Sequence, residues 1–274
     1  MMGVVAATGA GGEVPESLNL DFSAFAHEDG FERDLRVRVI DALTRLEVER
    51  SRVVDAMERG QRVAARFLGR GPQEINLAMA KGAGTWRVLE SIRSSGTVEQ
   101  LSVSLPNNAY HMERGLRMIS VWHRSGLDPD VRLMLAAEDP SAYFFSYAPV
   151  QLKIIDRRSV LLEGPSIGGK RTVIDVEDQA CLAAARGYWD AVVSGMYPCD
   201  GETAALADLT VRQRRVIALM LTSSSDEEIS RKLGVSVRTV RTEIALVLSM
   251  LEAPNRFVAG VRLRERLGIG PLGG

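Results

Sequence analysis

The stretch LTVRQRRVIALMLTSSSDEEISRKLGVSVRTVRTEIALVLSML, residues 209–251, decides the fold of the C-terminal quarter. Thr210 is placed to cap a helix, and Gln213, three residues on, can reach back to it, so that two orphan amide groups are satisfied reciprocally. Val216, Ile217 and Met220 supply that helix's buried face. Ser225-Asp226-Glu227-Glu228 repeats the signature and sets acid against the positive end of the helix dipole, with Ile229 and Leu233 facing inward. Gly234 can take the left-handed backbone that ends this second helix, and Ser236 can cap a third. Two short helices joined by a tight glycine-containing turn form a helix-turn-helix. On a wheel centred on Val240, the apolar residues Ile244, Val247, Leu248 and Leu251 all lie within about 80°. Arg238, Thr242, Ala245 and Ser249 fall on the far side, flanked by Thr239 and Arg241. Arg pairs with guanine edges, Thr touches phosphate or a thymine methyl, and Ala leaves room for close approach, so this face suits a major groove. A fourth helix follows Pro254, with Phe257, Val258, Val261 and Leu263 among Arg256, Arg262, Arg264 and Arg266.

Charge sets this unit apart. The 274-residue chain holds 34 Lys+Arg against 35 Asp+Glu, a formal net of -1. From Asp208 onward there are 11 basic and 7 acidic residues, a net of +4; the remainder holds 23 against 28, a net of -5. A basic unit on a mildly acidic body predicts a polyanion partner for the unit. With 46% hydrophobic and 25% charged residues, wholesale disorder and collagen-like repeats are excluded. No run approaches the roughly 18 apolar residues of a membrane helix, so no membrane association is expected. The start, Met1 to Gly12, lacks the basic residues of a secretory signal. Two cysteines, Cys181 and Cys199, make neither a disulfide framework nor a zinc site, and a reducing cytoplasm is the expected compartment.

Working toward the N-terminus, Met196–Thr203, with Pro198 and Gly201, reads as a linker, and residues 199–207 are assigned to it. Residues 1–30 are Gly/Ala-rich and then acidic, a flexible tail. Over 31–68, Leu35, Val39, Leu43, Leu46, Val53 and Met57 recur at helical spacing. This long amphipathic helix fits a dimer coiled coil or a helix lying across its own domain. Within 69–198 the spacing predicts a helix over Thr85–Ser94, a strand over Val98–Leu105 and a helix over Ala109–His123. It then predicts a buried strand over Val131–Ala136, a hairpin of Gln151–Ile155 with Val160–Leu162, a strand over Arg171–Val176 and a helix over Asp178–Gly195. Alternation of this kind indicates an α/β domain.

Leu209-Thr210, Glu228-Ile229, Leu233-Gly234-Val235-Ser236, Thr239-Val240-Arg241 and Asn255-Arg256 make residues 209–260 resemble the LuxR-type helix-turn-helix. The resemblance implies four helices, the third in the DNA major groove, with Arg241, Thr242 and Ala245 facing bases and Thr239 and the turn near phosphate. Ser236, Arg238 and Arg256 complete the expected DNA-binding set. Four positions depart from the family pattern: Gln213 for Glu, Ser223 for Gly, Glu243 where His is common, and Ser249-Met250 for a basic pair. Each lost cation removes one phosphate contact and lowers the salt dependence. Residues 31–195, above all Lys153-Ile154-Ile155-Asp156-Arg157-Arg158 and the helix around Trp189, resemble phospholipase-D-like or TrmB-like sensor domains joined to LuxR-type readers.

The expectation is therefore an α+β multidomain protein. A long helix precedes an α/β, phospholipase-D-like N-terminal domain, and an all-α four-helix unit, residues 208–274, follows it. Phospholipase-D chemistry needs paired His-x-Lys motifs; Gln151-Leu152-Lys153 occupies the comparable place, and Gln is no nucleophile, so no catalysis is expected. Lys153 and Asp156 are candidates for hairpin surface charges or for a ligand pocket. Gly164–Lys170 resembles a phosphate-binding loop, but Arg171 stands where Ser or Thr would hold magnesium and a strand follows, so a Gly-rich turn is expected. Tyr143-Phe144-Phe145-Ser146-Tyr147 reads as core, and His123 as a structural histidine at a helix end. The function read from the sequence is sequence-specific transcription regulation, with double-stranded DNA as partner, RNA polymerase as a further candidate, a homodimer as the assembly and an unidentified small molecule as candidate ligand. No metal or cofactor is expected. The alternative is a scaffold protein that uses a degenerate helix-turn-helix as a docking module.

Overall fold

Leu35, Val39, Leu43, Leu46 and Val53 return every three to seven residues, and burying that stripe dictates where the first helix lies. In the computed structural model, which describes residues 30–202, 209–220, 222–223 and 225–266, this helix, α1, runs Gly30–Glu58. Its stripe packs on α5 (Gln179–Val193), against Cys181, Leu182, Ala185 and Trp189. A side chain at Gly195, just past α5, would collide with Leu35, so only glycine lets the two helices close. The coiled-coil alternative through this stripe is thereby overturned: the apolar side chains are spent inside their own domain. The helix also stops ten residues earlier than its periodicity suggested, because Gly60 turns at φ +66° and the chain enters β1 (Ala65–Arg70). Residues 1–29 of the expected tail lie outside the described residues.

Seven further strands join β1 in one sheet: β2 (Val88–Arg93), β3 (Arg117–His123), β4 (Tyr143–Ser146), β5 (Leu152–Ile155), β6 (Ser159–Glu163), β7 (Thr172–Val176) and β8 (Tyr197–Pro198). Their order is β1-β7-β6-β5-β2-β3-β4-β8, parallel at β2–β3 and β3–β4 and antiparallel elsewhere. α1 and α5 cover one face. α2 (Gly71–Ala83), α3 (Val98–Met112) and α4 (Pro129–Ala136) cover the other. The body is a mixed α/β sandwich of three layers, as the alternation predicted at the level of class.

Several assignments in the middle of the chain are corrected. Thr85–Ser94 is not a helix; it contains β2, flanked on both sides by other strands. Val98–Leu105 is the first half of α3, not a strand. Thr97 and Gln100 form a complete capping box there, and the buried members Leu101 and Leu105 are four apart, so the apparent alternation is accidental. Of Ala109–His123, only the first four residues are helical. The chain turns at Gly115 (φ +98°) and Arg117–His123 forms β3. Val131–Ala136 belongs to α4, started by Asp128, whose carboxylate accepts the Asp130 amide, and by Pro129. His123 accordingly ends a strand; its Nδ1 accepts the Ala148 amide at 3.0 Å, and burial, with Arg36 nearby, holds its pKa below the usual value.

The hairpin of β5 and β6 is where the sequence placed it. Asp156 and Arg157 both take positive φ (51° and 57°), the turn that matches strand twist. Gly164–Lys170 is a turn closed by an Ile167–Lys170 bridge. The described part of the expected Met196–Thr203 linker, residues 196–202, is not a free linker. β8 pairs with β4, and Cys199, in a short 3-10 turn (Cys199–Glu202), is 1% exposed; residues 203–208 lie outside the described residues. No described helix is long and apolar enough to cross a membrane.

Candidate nucleic-acid interface

Thr210 and Gln213 form the expected reciprocal cap, at 2.9 and 3.2 Å, and start α6 (Val211–Met220). Ser225 caps α7 (Asp226–Leu233) by accepting the Glu228 amide at 3.2 Å. Gly234 ends α7 at φ +65° and Ser236 caps α8 (Val237–Met250) through the Thr239 amide. Val216, Ile229, Val240 and Ile244 close the core between these three helices. A fourth helix, α9 (Arg256–Arg266), completes the unit.

This core fixes what α8 shows to the outside. Arg238, Arg241, Thr242, Ala245 and Ser249 are exposed, and Val240, Ile244 and Val247 are buried. Thr242 donates its hydroxyl to the Arg238 carbonyl at 3.0 Å. Ser236 and Thr239 hydroxyls meet at 2.9 Å at the helix start. Of the expected set, Ser236, Arg238, Thr239, Thr242 and Ala245 therefore lie together along one edge of α8 and its N-terminal turn.

Arg241 and Arg256 are placed differently. Arg241 Nε donates to Asp226 Oδ2 at 3.2 Å, and its Nη2 lies 3.6 Å from Glu227. Arg256 Nη2 donates to the other Asp226 oxygen at 2.8 Å. Asp226 is 13% exposed, and these bonds, Arg256 first, hold its carboxyl below the usual range despite some desolvation. The sequence reading placed Asp226 only at a helix dipole and missed this clamp. The sole signal was an acid in a first turn followed by Arg 15 and 30 residues later, too distant for any local rule. The positions that depart from the LuxR pattern have local roles: Glu243 pairs with Arg212 at 3.7 Å across α6 and α8, and Ser223 accepts from Lys232 at 3.2 Å.

The unit is docked on the body by its back. Leu133 and Ala136 of α4 share one core with Leu209, Ile217, Val247, Leu251, Ala259 and Leu263. Arg215 Nε donates to the Ala137 carbonyl at 3.1 Å, and Arg214 lies 3.7 Å from Asp200. The exposed edge of α8 belongs to none of these contacts.

Residues 203–251 match the family model described as Sigma-70, region 4. That region is a helix-turn-helix, so the sequence of the C-terminal unit is similar to a fold of the kind its helices form. No curated protein matches the chain significantly.

In the body, the two candidate ligand residues are not brought together. Asp156 accepts the Arg87 and Val88 amides, each at 2.8 Å, and serves the turn at one end of β5. Lys153 points into the opposite layer and donates to Ser91 Oγ at 3.0 Å. Tyr143 and Phe145 pack into one core and Phe144 into the other, as strand alternation demands, and Tyr147, just past the end of β4, joins the core of Phe144.

Proposed function

We propose that the protein is a sequence-specific DNA-binding transcription regulator of the LuxR type, with α8 in the major groove and the α/β body as its sensor. The observation that carries the reading is the edge of α8. Arg238, Thr242 and Ala245 stand exposed and contiguous on a helix whose other side is core, and the body is docked where it leaves that edge open. Arg238 and Thr242 would face bases, while Ser236 and Thr239 would meet phosphate. Arg241 and Arg256 would join them by exchanging Asp226 for phosphate oxygens.

A helix of this size reads only a few base pairs, which favours two units on a two-fold operator. The dimer surface would lie away from the buried stripe of α1. RNA polymerase is the second partner that the likeness to Sigma-70 region 4 suggests. The body, read as phospholipase-D-like, would be non-catalytic, since Gln151 stands where a nucleophile would.

Mapping of genomic binding sites for the intact chain, followed by mobility shift on the best site, tests the reading. Specific retardation that Arg238→Ala and Thr242→Ala both weaken is expected. No retardation of any DNA, by the intact chain or by either variant, would leave a docking module as the better account.

A further inference from the structure

The charge of the chain falls into three parts. Residues 1–29 carry Glu13, Glu16, Asp21, Glu28 and Asp29 and no Lys or Arg, a net of -5. Residues 30–207 hold 23 basic and 23 acidic residues, a net of zero, and residues 208–274 are +4. The acidity that opposes the C-terminal unit therefore belongs to the residues ahead of α1, not to the body. Leu18, Leu20, Phe22 and Phe25 lie among these carboxylates. A block of one charge sign with interspersed apolar residues marks an interaction segment.

The C-terminal unit offers a matching surface. Arg241 and Arg256 share Asp226, so the first turn of α9 stands beside the edge of α8. Next to Arg256, Phe257 is 79% exposed, and Val261, one turn on and on the same side of α9, is 39% exposed. Neither belongs to the core that α9 shares with the body. Arg238 is exposed, and Arg241, although held by Asp226, keeps 65% of its side chain open. Phosphates use such cations but gain nothing from an exposed phenylalanine and valine. An acidic segment with aromatic residues uses both.

The path between the two is open. α1 begins on the side of the sheet where the C-terminal unit is attached. Leu35, in its second turn, packs against Gly195, and the Glu32 charge reaches Tyr197 of edge strand β8. Asp200, just past β8, lies 3.7 Å from Arg214 of α6. Fully extended, residues 13–29 span about 55 Å, more than the roughly 45 Å diameter of a compact chain of this size.

We propose that residues 13–29 dock on the outer surface of α8 and α9 of their own chain, carboxylates on Arg238 and Arg241 and apolar side chains on Phe257 and Val261, and that DNA must displace them to bind. The segment is an internal competitor at high effective concentration. It lowers every DNA affinity by one factor, which empties random sequence first and leaves an operator occupied. The proposal rests on the DNA reading of α8, so one arm of its test uses no DNA.

In that arm a benzophenone photo-crosslinker replaces Phe22 in the full-length chain, and cross-linked peptides are read by mass spectrometry on mixed isotope-labelled protein. Cross-links to α8 or α9 within one chain, diminished by Phe257→Ser and by salt, are expected. Cross-links only to the body or to a second chain, or none, overturn the docking whatever the chain does with DNA. In the second arm, random-sequence DNA is titrated with the full-length protein. Replacing the five carboxylates by their amides should tighten binding about ten-fold at low salt. Leu18→Ser, Phe22→Ser and Phe25→Ser together keep every charge and should tighten it several-fold. Phe257→Ser should do the same and add nothing to that triple variant. Tightening by the amides alone would show a long-range charge effect without docking. Weaker binding by Phe257→Ser, with loss of a dimer, would assign the surface to a second copy. Either result overturns the proposal. Failure of every variant to retard DNA, with the cross-links present, would remove the DNA reading and leave the docked segment standing.

Discussion

Two pairs of cations sit in different parts of this molecule and differ in what balances them. In the helix-turn-helix, Arg241 and Arg256 share the two oxygens of Asp226 at a partly solvated surface. In the sheet, Arg93 and Lys153 are desolvated and, among the described residues, meet Ser91 and the Trp122 ring rather than a carboxylate. A surface pair costs little to open, because water and a phosphate oxygen replace Asp226 at nearly equal strength. A buried pair without an anion depresses stability until something neutralises it. The first arrangement suits exchange with a long polyanion, and the second leaves an electrostatic cost inside the body.

The comparison is sharpest if both pairs belong to one cooperative body. Leu133, 2% exposed, joins α4 to the core of the C-terminal unit. Leu133→Ala should cost about 2–5 kcal/mol and split a single melting transition in two. An unchanged midpoint would mean that this contact does not couple the two regions and would break the comparison.

A pH series addresses the buried pair. Lys153 titrates near 7 in the fold, beside Arg93, and near its ordinary 10.5 when unfolded. Between those values the unfolded chain binds the extra proton, so stability rises with pH across that window. Burial therefore destabilises most below pH 7 and progressively less above it. Relative to Lys153→Met, the wild-type chain should gain about 2 kcal/mol from pH 7 to pH 9 in denaturant titrations. A flat difference would show the ammonium to be adequately solvated.

The surface pair is probed on DNA. Arg238→Ala should lose about 1–3 kcal/mol of discrimination between operator and random sequence, measured by competition binding, with the melting temperature unchanged. Asp226→Asn should act in the opposite direction and more weakly. With Arg241 and Arg256 released, non-specific binding should tighten a few-fold and the salt slope steepen by about 1. A slope identical to wild type would mean that the clamp does not compete with phosphate.

The helix-turn-helix was legible because each of its boundaries is a local chemical signal: Thr210 with Gln213, Ser225, Gly234 and Ser236 act within four residues. The β5–β6 hairpin was legible for the same reason, as two apolar runs flank a turn at Asp156-Arg157. Residues 85–136 were not. Leu133, Met134, Leu135 and Ala136 of α4 are buried consecutively, so no polar face marks a helical period, and α3 presents apolar residues that alternate by accident. The exposed edge of α8 could be drawn on a wheel. The Asp226 clamp and the Arg93–Lys153 pair could not, because one depends on helix crossing and the other on strand register.

The shared core of α4 and the C-terminal unit has a consequence for anyone who would exchange readers between proteins. Severing the chain between Glu202 and Leu209 uncovers Leu209, Ile217, Ala259 and Leu263 on one fragment and Leu133 and Ala136 on the other. A chimera made by swapping sequence at that point alone would inherit two mismatched sticky patches and would tend to aggregate. A working graft has to carry its own version of α4, so the smallest exchangeable cassette here is one helix of the body plus the reader it carries.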